Sequence, residues 1–156
     1  MGRVTSRQDL IAAVSAERAK GRTIALANGC FDVLHVGHVR YLQAAAREAD
    51  LLVVAVNDDA SIRSLKGALR PVQPEDERAE ILAAIEGVAF VTIFSEPTVE
   101  PLLRALRPDV HCKGTDYTPE TVPERHVAAE VGARIAIVGD PKTHDSSALI
   151  RKIQST

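Results

Sequence analysis

Aromatic residues and cysteines are scarce in this chain. Only 3% of its 156 residues are aromatic and tryptophan is absent, so the aliphatic residues of the 46% hydrophobic fraction must build any core. The chain is long enough to cover both faces of a sheet. Only two cysteines are present, the widely separated Cys30 and Cys112. This pattern excludes a disulfide scaffold and fits a reducing compartment.

An excess of charge of one sign and long apolar runs are also lacking. Nineteen basic and 21 acidic residues leave a net charge of −2, which gives no electrostatic basis for binding nucleic acid or a membrane surface. No segment approaches the roughly 20 apolar residues that span a bilayer. Polar residues interrupt the first twenty positions, so no signal-peptide core is predicted. We therefore expect a cytoplasmic protein with neither a nucleic-acid nor a membrane partner.

Short β-rich runs alternate with helical patterns along the chain. A capping-box pattern at residues 6–9 begins a first helix. The predicted strands are residues 23–27, 51–56, 88–94, 109–112 and 134–138. The predicted helices are residues 39–48, 74–85, 99–106, 123–131 and 146–154. The alternation predicts an α/β fold with a doubly wound, five-stranded parallel sheet. We expect one domain over residues 1–156, in which residues 1–22 form an N-terminal helical extension and residues 23–156 the catalytic core.

The most informative segment is residues 28–38, which read Asn-Gly-Cys-Phe-Asp-Val-Leu-His-Val-Gly-His. It joins the first predicted strand to a helix start, where unpaired N–H groups and the helix dipole favour an anion. His35 and His38 are three residues apart and can face the same anion, and Gly37 between them permits its close approach. We interpret this segment as a nucleoside triphosphate site.

Two other interpretations of the histidines deserve comparison. The two histidines of a His-x-x-His pair are often exposed surface residues without a ligand. They can also belong to a zinc site, in which Cys30 or Cys112 would be a further ligand here. Because neither cysteine belongs to a closely spaced pair, the spacing does not favour structural zinc.

The string Gly-Cys-Phe-Asp-x-x-His-x-Gly-His resembles the first motif of the cytidylyltransferase-type nucleotidyltransferases, within the wider His-x-Gly-His superfamily. Further segments follow in the same order at residues 55–61, 65–67, 70–72, 77–78 and 113–117. Within that family, the arrangement resembles the adenylyltransferases that join heptose 1-phosphate to AMP in making ADP-heptose. The likeness covers nearly the whole chain.

The resemblance implies a Rossmann-like sheet with strand order 3-2-1-4-5. Its ligand crevice would lie where the order reverses, between the first and fourth strands. The implied substrates are ATP and a sugar 1-phosphate, most similar to D-glycero-β-D-manno-heptose 1-phosphate, and the implied cofactor is Mg²⁺. A homodimer is compatible with the family.

The resemblance also implies roles for individual residues. The predicted catalytic residues are His35, His38, Lys66 and Asp32, of which Asp32 is the candidate magnesium ligand. The predicted nucleotide-binding residues are Gly29, Cys30, Phe31, Gly37, Lys113, Gly114, Ser146 and Ser147. The predicted substrate-binding residues are Asn57, Arg70, Arg78, Asp116 and Tyr117.

Simpler roles remain open for several of these residues. Asp32 can cap a turn or helix, and Lys66 and Arg70 can be solvated residues of a flexible loop. Arg78 can pair with Glu75 on one helix face. Asn57 can be a turn residue at the end of a strand.

The last helix shows where this chain departs from the family. Relatives carry Ser-Thr-Thr or Ser-Thr-Ser where this chain has Asp145-Ser146-Ser147. We expect Asp145 to act as the N-cap of the helix, because a carboxylate aimed at the triphosphate would repel it; an approach to magnesium is the alternative. Base recognition is expected in the backbone of the loop at residues 139–142, which offers no side-chain code.

Two alternative functions remain open at this point. Asp116 and Tyr117 can bind the hydroxyls of a heptose, and they can equally bind glycerol phosphate. A glycerol-3-phosphate cytidylyltransferase, which makes CDP-glycerol, is therefore the alternative enzyme. The non-enzymatic alternative is a module that binds nucleotide without catalysing its conversion.

Overall fold

The computed structural model describes residues 1–141 and 143–156. Its strands are β1 (Arg3–Val4), β2 (Ile24–Gly29), β3 (Leu51–Asn57), β4 (Val88–Phe94), β5 (Val110–Lys113) and β6 (Arg134–Ile137). Its helices are α1 (Arg7–Ala19), α2 (Val36–Ala46), α3 (Asp59–Lys66), α4 (Glu75–Ala83), α5 (Glu100–Leu106), α6 (Arg125–Val131) and α7 (Ser146–Gln154). None of the helices in these ranges is long and apolar enough to cross a bilayer.

The six strands form one parallel sheet in the order β1-β4-β3-β2-β5-β6. The α/β class is confirmed, but the predicted count of five strands is wrong. Apart from β1, the order is the expected one. The additional strand β1 pairs with β4 through Arg3 opposite Phe90 and Val4 opposite Val91. Residues 1–22 are therefore not purely helical. A two-residue edge strand with both side chains exposed leaves no hydrophobic pattern to recognise.

Both faces of the sheet are covered, which explains why its central strands are nearly continuously apolar. Alternate residues of each strand point to opposite faces. One face packs against α2 and α4 through a cluster that includes Ala27, Leu42 and Val54. The other packs against α1, α5 and α6 through a second cluster that includes Leu26 and Leu103. Aliphatic side chains fill both layers, as the shortage of aromatic residues requires.

Helix α3 was not predicted, because it lies in a polar stretch whose Lys66 was assigned to a flexible loop. The helix buries only Ile62, so its apolar pattern is minimal. Its ends nevertheless carry ordinary signals. The Asp58 side chain accepts a hydrogen bond from the Ser61 N–H, and Gly67 ends the helix with a φ of 100°.

The strand order reverses at β2, because the chain proceeds outward to β3 and β4 before β5 returns on the opposite side. Ligands of such sheets bind at the carboxyl ends of the strands beside this reversal. Strand β2 ends at Gly29 and β5 ends at Lys113. The motif at residues 28–38 and the segment at residues 113–117 therefore meet at one edge of the sheet.

Candidate active site

A crevice of about 620 Å³ opens at this edge of the sheet. All the predicted site residues except Arg70 and Arg78 line it. The loop after β2 supplies its centre, and the segment after β5 forms one wall. The start of α7 and the end of α3 complete it. Residues separated by more than 100 positions in the sequence thus share one cavity.

The two histidines are held in a fixed arrangement at the start of α2. His35 Nδ1 accepts a hydrogen bond from the Gly37 N–H at 3.1 Å, and His38 Nδ1 accepts one from the His35 N–H at 3.3 Å. Their rings stack with centroids 3.9 Å apart. An imidazole whose Nδ1 accepts from the backbone carries its proton on Nε2 when neutral. Both rings therefore have an Nε2–H as their second hydrogen-bonding group, which is the donor that a phosphate oxygen requires.

The close fit around Gly37 explains the glycine between these histidines. A Cβ at this position would lie 2.9 Å from the ring atoms Cε1 and Nδ1 of His35. Any side chain would force the His35 ring to shift away from its hydrogen bond with the Gly37 N–H.

The loop before α2 has an unusual backbone, because Phe31 and Val33 have φ values of 50° and 51°. A β-branched residue rarely adopts this left-handed conformation, which costs on the order of 1–3 kcal/mol. Contacts from distant segments hold it. The Val33 N–H donates to Gln73 Oε1 at 3.0 Å, and the Ser146 hydroxyl donates to the carbonyls of Asp32 and Val33.

Asp32 organises this loop rather than facing a ligand freely. Its side chain is only 1% exposed. Oδ2 accepts from Arg70 Nε at 2.7 Å and from the Val72 N–H at 2.9 Å, and Oδ1 accepts from the Gln73 N–H at 3.1 Å. Burial alone would raise the pKa of this carboxyl, but these hydrogen bonds outweigh it and lower the pKa. Asp32 is therefore ionised and already satisfied by three donors.

The candidate role of Asp32 as a magnesium ligand does not fit this arrangement. Both carboxylate oxygens already accept hydrogen bonds from the protein, and the side chain is only 1% exposed, so it offers a metal ion little access. Within residues 1–141 and 143–156, no group of three or more His, Cys, Asp or Glu side chains is arranged to hold a metal ion. The family suggests a divalent metal, and the donor set provides no protein cage for one.

Arg78, which the sequence predicted to bind substrate, makes its hydrogen bonds within the protein. Its side chain is fully buried below the crevice. Nε donates to the Gln73 carbonyl, Nη1 donates to the carbonyls of Cys30 and Asn57, and Nη2 donates to Asp59, at 2.7–2.9 Å. The pairing with Glu75 considered from the sequence is not the one found.

Arg70 likewise contacts protein groups instead of lining the crevice. Its Nε donates to Asp32 and its Nη1 donates to Ser147 Oγ at 3.3 Å, which links the segment after α3 to the start of α7. Lys66, the last residue of α3, is exposed and lines the crevice. It is therefore well placed to meet a polyanion.

The start of α7 confirms the expected role of Asp145. Its Oδ1 accepts from the Ala148 N–H at 2.6 Å, so the carboxylate caps the helix. Ser147 lines the crevice with its hydroxyl beside Arg70. The Ser146 hydroxyl donates to the loop carbonyls of Asp32 and Val33, and Ser146 also lines the crevice, so its predicted nucleotide contact stays a prediction.

The wall after β5 carries a cation and a phenol. Lys113 is buried, and its Nζ lies 4.7 Å from the centre of the Tyr117 ring and 3.8 Å from Glu124 Oε2. Partial burial raises the pKa of the Tyr117 phenol, and the carboxylates of Asp116 and Glu124 add to the effect. The phenol is therefore protonated at neutral pH and can donate a hydrogen bond.

The remaining predicted residues lie around these groups. Cys30 lines the crevice, and its thiol donates to Asn57 Oδ1 at 3.8 Å; burial raises the pKa of this thiol, so it is not an activated nucleophile. Phe31 is buried edge-on against the His38 ring, with ring centroids 5.6 Å apart. Gly29 and Gly114 contribute backbone to the lining.

Several lining residues were missed from the sequence, notably Glu124, His144 and Asn28. Asn28 begins the motif and was assigned only a turn. His144 stacks near His35, with ring centroids 6.1 Å apart, and its position just before α7 was the available signal. Nothing local marks Glu124. Of the loop expected to recognise the base, residues 139–141 line the crevice, and Lys142 lies outside the described residues.

Comparison with known proteins gives matches to one family model and to curated relatives over nearly the whole chain. The cytidylyltransferase-like family model matches residues 26–153. The bifunctional protein HldE of Syntrophotalea carbinolica is 44% identical over 97% of this chain and 31% of its own length. The bifunctional protein HldE of Geotalea uraniireducens is 49% identical over 94% of this chain and 30% of its own length. This chain thus spans about a third of the length of these curated relatives.

A solved structure shares the fold. The crystal structure of the lipopolysaccharide core biosynthesis protein from Thermoplasma volcanium GSS1 superposes with a TM-score of 0.66. It is 24% identical, and the match covers 78% of this chain and 100% of that one.

Proposed function

We propose that this chain, which belongs to the cytidylyltransferase-like family of nucleotidyltransferases, transfers AMP from ATP to a sugar 1-phosphate and releases pyrophosphate. The acceptor that we propose is D-glycero-β-D-manno-heptose 1-phosphate, and the product is ADP-heptose. The sequence motifs resemble the adenylyltransferases of ADP-heptose synthesis, and the matches of nearly the whole chain to about a third of bifunctional protein HldE support the same assignment. The observation that carries the chemistry is the stacked pair of His35 and His38, with both Nδ1 atoms engaged by the backbone.

In this reaction one oxygen of the acceptor phosphate attacks the α-phosphorus of ATP in line with the leaving group. The new O–P bond forms as the bond to the β-phosphate oxygen breaks, and pyrophosphate leaves with that electron pair. The second pKa of a phosphate monoester is about 6, so the nucleophile is already ionised at neutral pH. The chain therefore needs no general base, and its task is to align two anions and to stabilise the charge that develops.

The crevice supplies donors and cations on either side of the proposed reaction centre. His35 and His38 would donate from Nε2 to the triphosphate, and the N-terminus of α2 would add its dipole. Lys66 would bind the triphosphate or the departing pyrophosphate at the rim. Such fixed donors act without reorganising during the reaction, which is why they stabilise the transition state efficiently.

We propose that Mg²⁺ enters with ATP, as the magnesium complex of the substrate. Asp32 accepts three hydrogen bonds from the loop segments around it and so is assigned to loop positioning. The proposed role of the Lys113 and Tyr117 wall is to hold the acceptor sugar phosphate. Lys113 would offer charge, and the Tyr117 hydroxyl would donate a hydrogen bond.

The test is pyrophosphate release from a matrix of ATP and CTP against heptose 1-phosphate, glycerol 3-phosphate and phosphopantetheine. We expect the highest kcat/KM with ATP and heptose 1-phosphate, and ADP-heptose as the product. Faster turnover of CTP with glycerol 3-phosphate would instead identify a cytidylyltransferase that makes CDP-glycerol. Tight ATP binding without pyrophosphate release from any pair would identify a nucleotide-binding module.

A further inference from the structure

Glu124 is a buried carboxylate in a crevice that must accommodate two phosphate groups. Its side chain is 10% exposed, yet it lines the cavity. A negative charge here opposes phosphate binding, and burying a charge is costly unless it is paired and hydrogen-bonded. The presence of this carboxylate therefore needs an explanation.

The contacts made by Glu124 within the described residues do not supply one. It precedes α6, but its side chain makes no capping hydrogen bond. It forms an ion pair with Lys113, but the Lys113 Nζ is 3.8 Å from Oε2, beyond hydrogen-bonding distance. Oε2 is buried and has no hydrogen-bond partner in the part of the chain that the structure describes. A buried acceptor left unpaired costs about 1–3 kcal/mol, which a ligand hydroxyl would offset.

A hydrogen-bond donor is presented to the same cavity by Asn28. His111 is fully buried and makes a 2.9 Å hydrogen bond between its Nε2 and Asn28 Oδ1. Burial, aided by the charge of Lys113, lowers the pKa of His111 to about 3, so the ring is neutral. Since Asn28 Oδ1 can only accept, the His111 proton lies on Nε2. In this orientation of the Asn28 amide, Oδ1 is engaged by His111 and Nδ2 can donate to a ligand.

An ammonium, a carboxylate acceptor and an amide donor together match a phosphorylated polyol. The ammonium suits its phosphate, while the acceptor and donor suit its hydroxyls. We propose that Glu124 accepts a hydrogen bond from a hydroxyl of the acceptor sugar and so determines acceptor specificity. Asn28, held by His111, would donate a hydrogen bond to the same sugar. This assignment rests on the proposed function and deepens it, because none of these three residues was assigned to substrate from the sequence.

The test combines Glu124→Gln with monodeoxy analogues of the sugar phosphate. We expect the wild-type enzyme to prefer the parent over one analogue by about 10-fold or more in kcat/KM, which is a typical value for one hydrogen bond to a charged group. In Glu124→Gln that preference should fall below about threefold, while the KM for ATP stays within about twofold. The matched control is Glu120→Gln, an exposed residue outside the crevice, which should retain the wild-type preference.

The outcomes separate this inference from the proposed function. A purely structural pair of Glu124 and Lys113 would lower activity equally for every analogue, and that result would overturn the inference. Thermal melting of each variant reports any loss of folding.

Calorimetric titration of the parent sugar phosphate provides a second readout, in which Glu124→Gln should bind at least about fivefold more weakly. If the wild type converts the sugar phosphate and Glu124→Gln keeps the wild-type preference for the parent over its analogues, only the role of Glu124 is refuted. Failure of the wild type to bind or convert any sugar phosphate refutes both proposals.

Discussion

Replacing Arg78 tests whether this residue supports the crevice or contacts the substrate. Arg78→Met keeps the apolar stem and removes the guanidinium, which donates four hydrogen bonds of 2.7–2.9 Å. Those bonds connect the ends of β2 and β3 to α3 and to the segment before α4. The replacement leaves three backbone carbonyls and Asp59 without this donor.

The expected cost follows from the burial of these groups. Net values of about 1.5–3 kcal/mol for each of the four charged hydrogen bonds would sum to about 6–12 kcal/mol. The Asp59 side chain is 25% exposed and can recover hydration, and water from the crevice can reach the strand ends. Removing one partner of a buried ion pair typically costs about 3–5 kcal/mol, and we expect the result in that range. This is a large part of the roughly 5–15 kcal/mol that stabilises a domain.

Urea unfolding followed by circular dichroism measures this cost. With a slope of about 1–3 kcal/mol per molar, the midpoint should fall by roughly 1–5 M in Arg78→Met. Arg104→Met is the control, because its ion pair with Glu130 is about half exposed on both sides and should contribute only about 0–1 kcal/mol. Arg78→Lys retains the charge with fewer donors and should lie between the two. A loss below about 1 kcal/mol, together with a higher KM for the sugar phosphate, would refute the structural assignment and restore the role predicted from the sequence.

The other predictions concern catalysis, capping and pH. His38→Ala should raise the barrier to AMP transfer by about 2–4 kcal/mol with a smaller loss of ATP affinity, measured by steady-state kinetics; near wild-type turnover would refute the catalytic role. Asp145→Ser should leave stability and the magnesium dependence of the rate unchanged, because serine also caps helices. Asp145→Ala should lose about 0.5–2 kcal/mol of stability. A higher magnesium requirement in the serine variant would contradict the capping role. His111 is neutral in the folded protein but takes up a proton when unfolded below about pH 6.5, so stability should fall by up to about 1.4 kcal/mol per pH unit from pH 6.5 towards 3. Unfolding of His111→Gln across that range should be less dependent on pH, and identical slopes would argue against a buried neutral imidazole.

The sequence predicted those parts of the fold that local pattern encodes. Apolar strands with helical segments between them were sufficient for the central parallel sheet, and the motif at residues 28–38 located the crevice. The errors occurred where local pattern is weak. Strand β1 is only two exposed residues long, and its pairing with β4 depends on a contact almost ninety positions away. Helix α3 buries a single residue, so its hydrophobic periodicity was hidden in a polar stretch.

The roles of the charged residues were predictable only in part, because a motif shows which residues are present and not what they touch. Asp32, Arg70 and Arg78 all belong to the recognised segments, and each contacts the protein itself. Their hydrogen bonds include several between segments about 20 to 50 positions apart. Such partners follow from the folded backbone and leave no local signal in the sequence.

The charged residues around the crevice therefore fall into two groups, those that would contact the substrates and those that hold the loop in place. The groups that would meet the triphosphate, such as His35 and Lys66, lie on its surface. The charged pair of Asp32 and Arg70 lies beneath them and fixes the strained loop on which the histidines depend. The donors must be in position before the substrates bind, because reorganisation during the reaction would reduce their effect. The buried charges are therefore best understood as the source of that rigidity. On this account Asp32→Asn should impair AMP transfer by loosening the loop, and its effect should be accompanied by a measurable loss of stability.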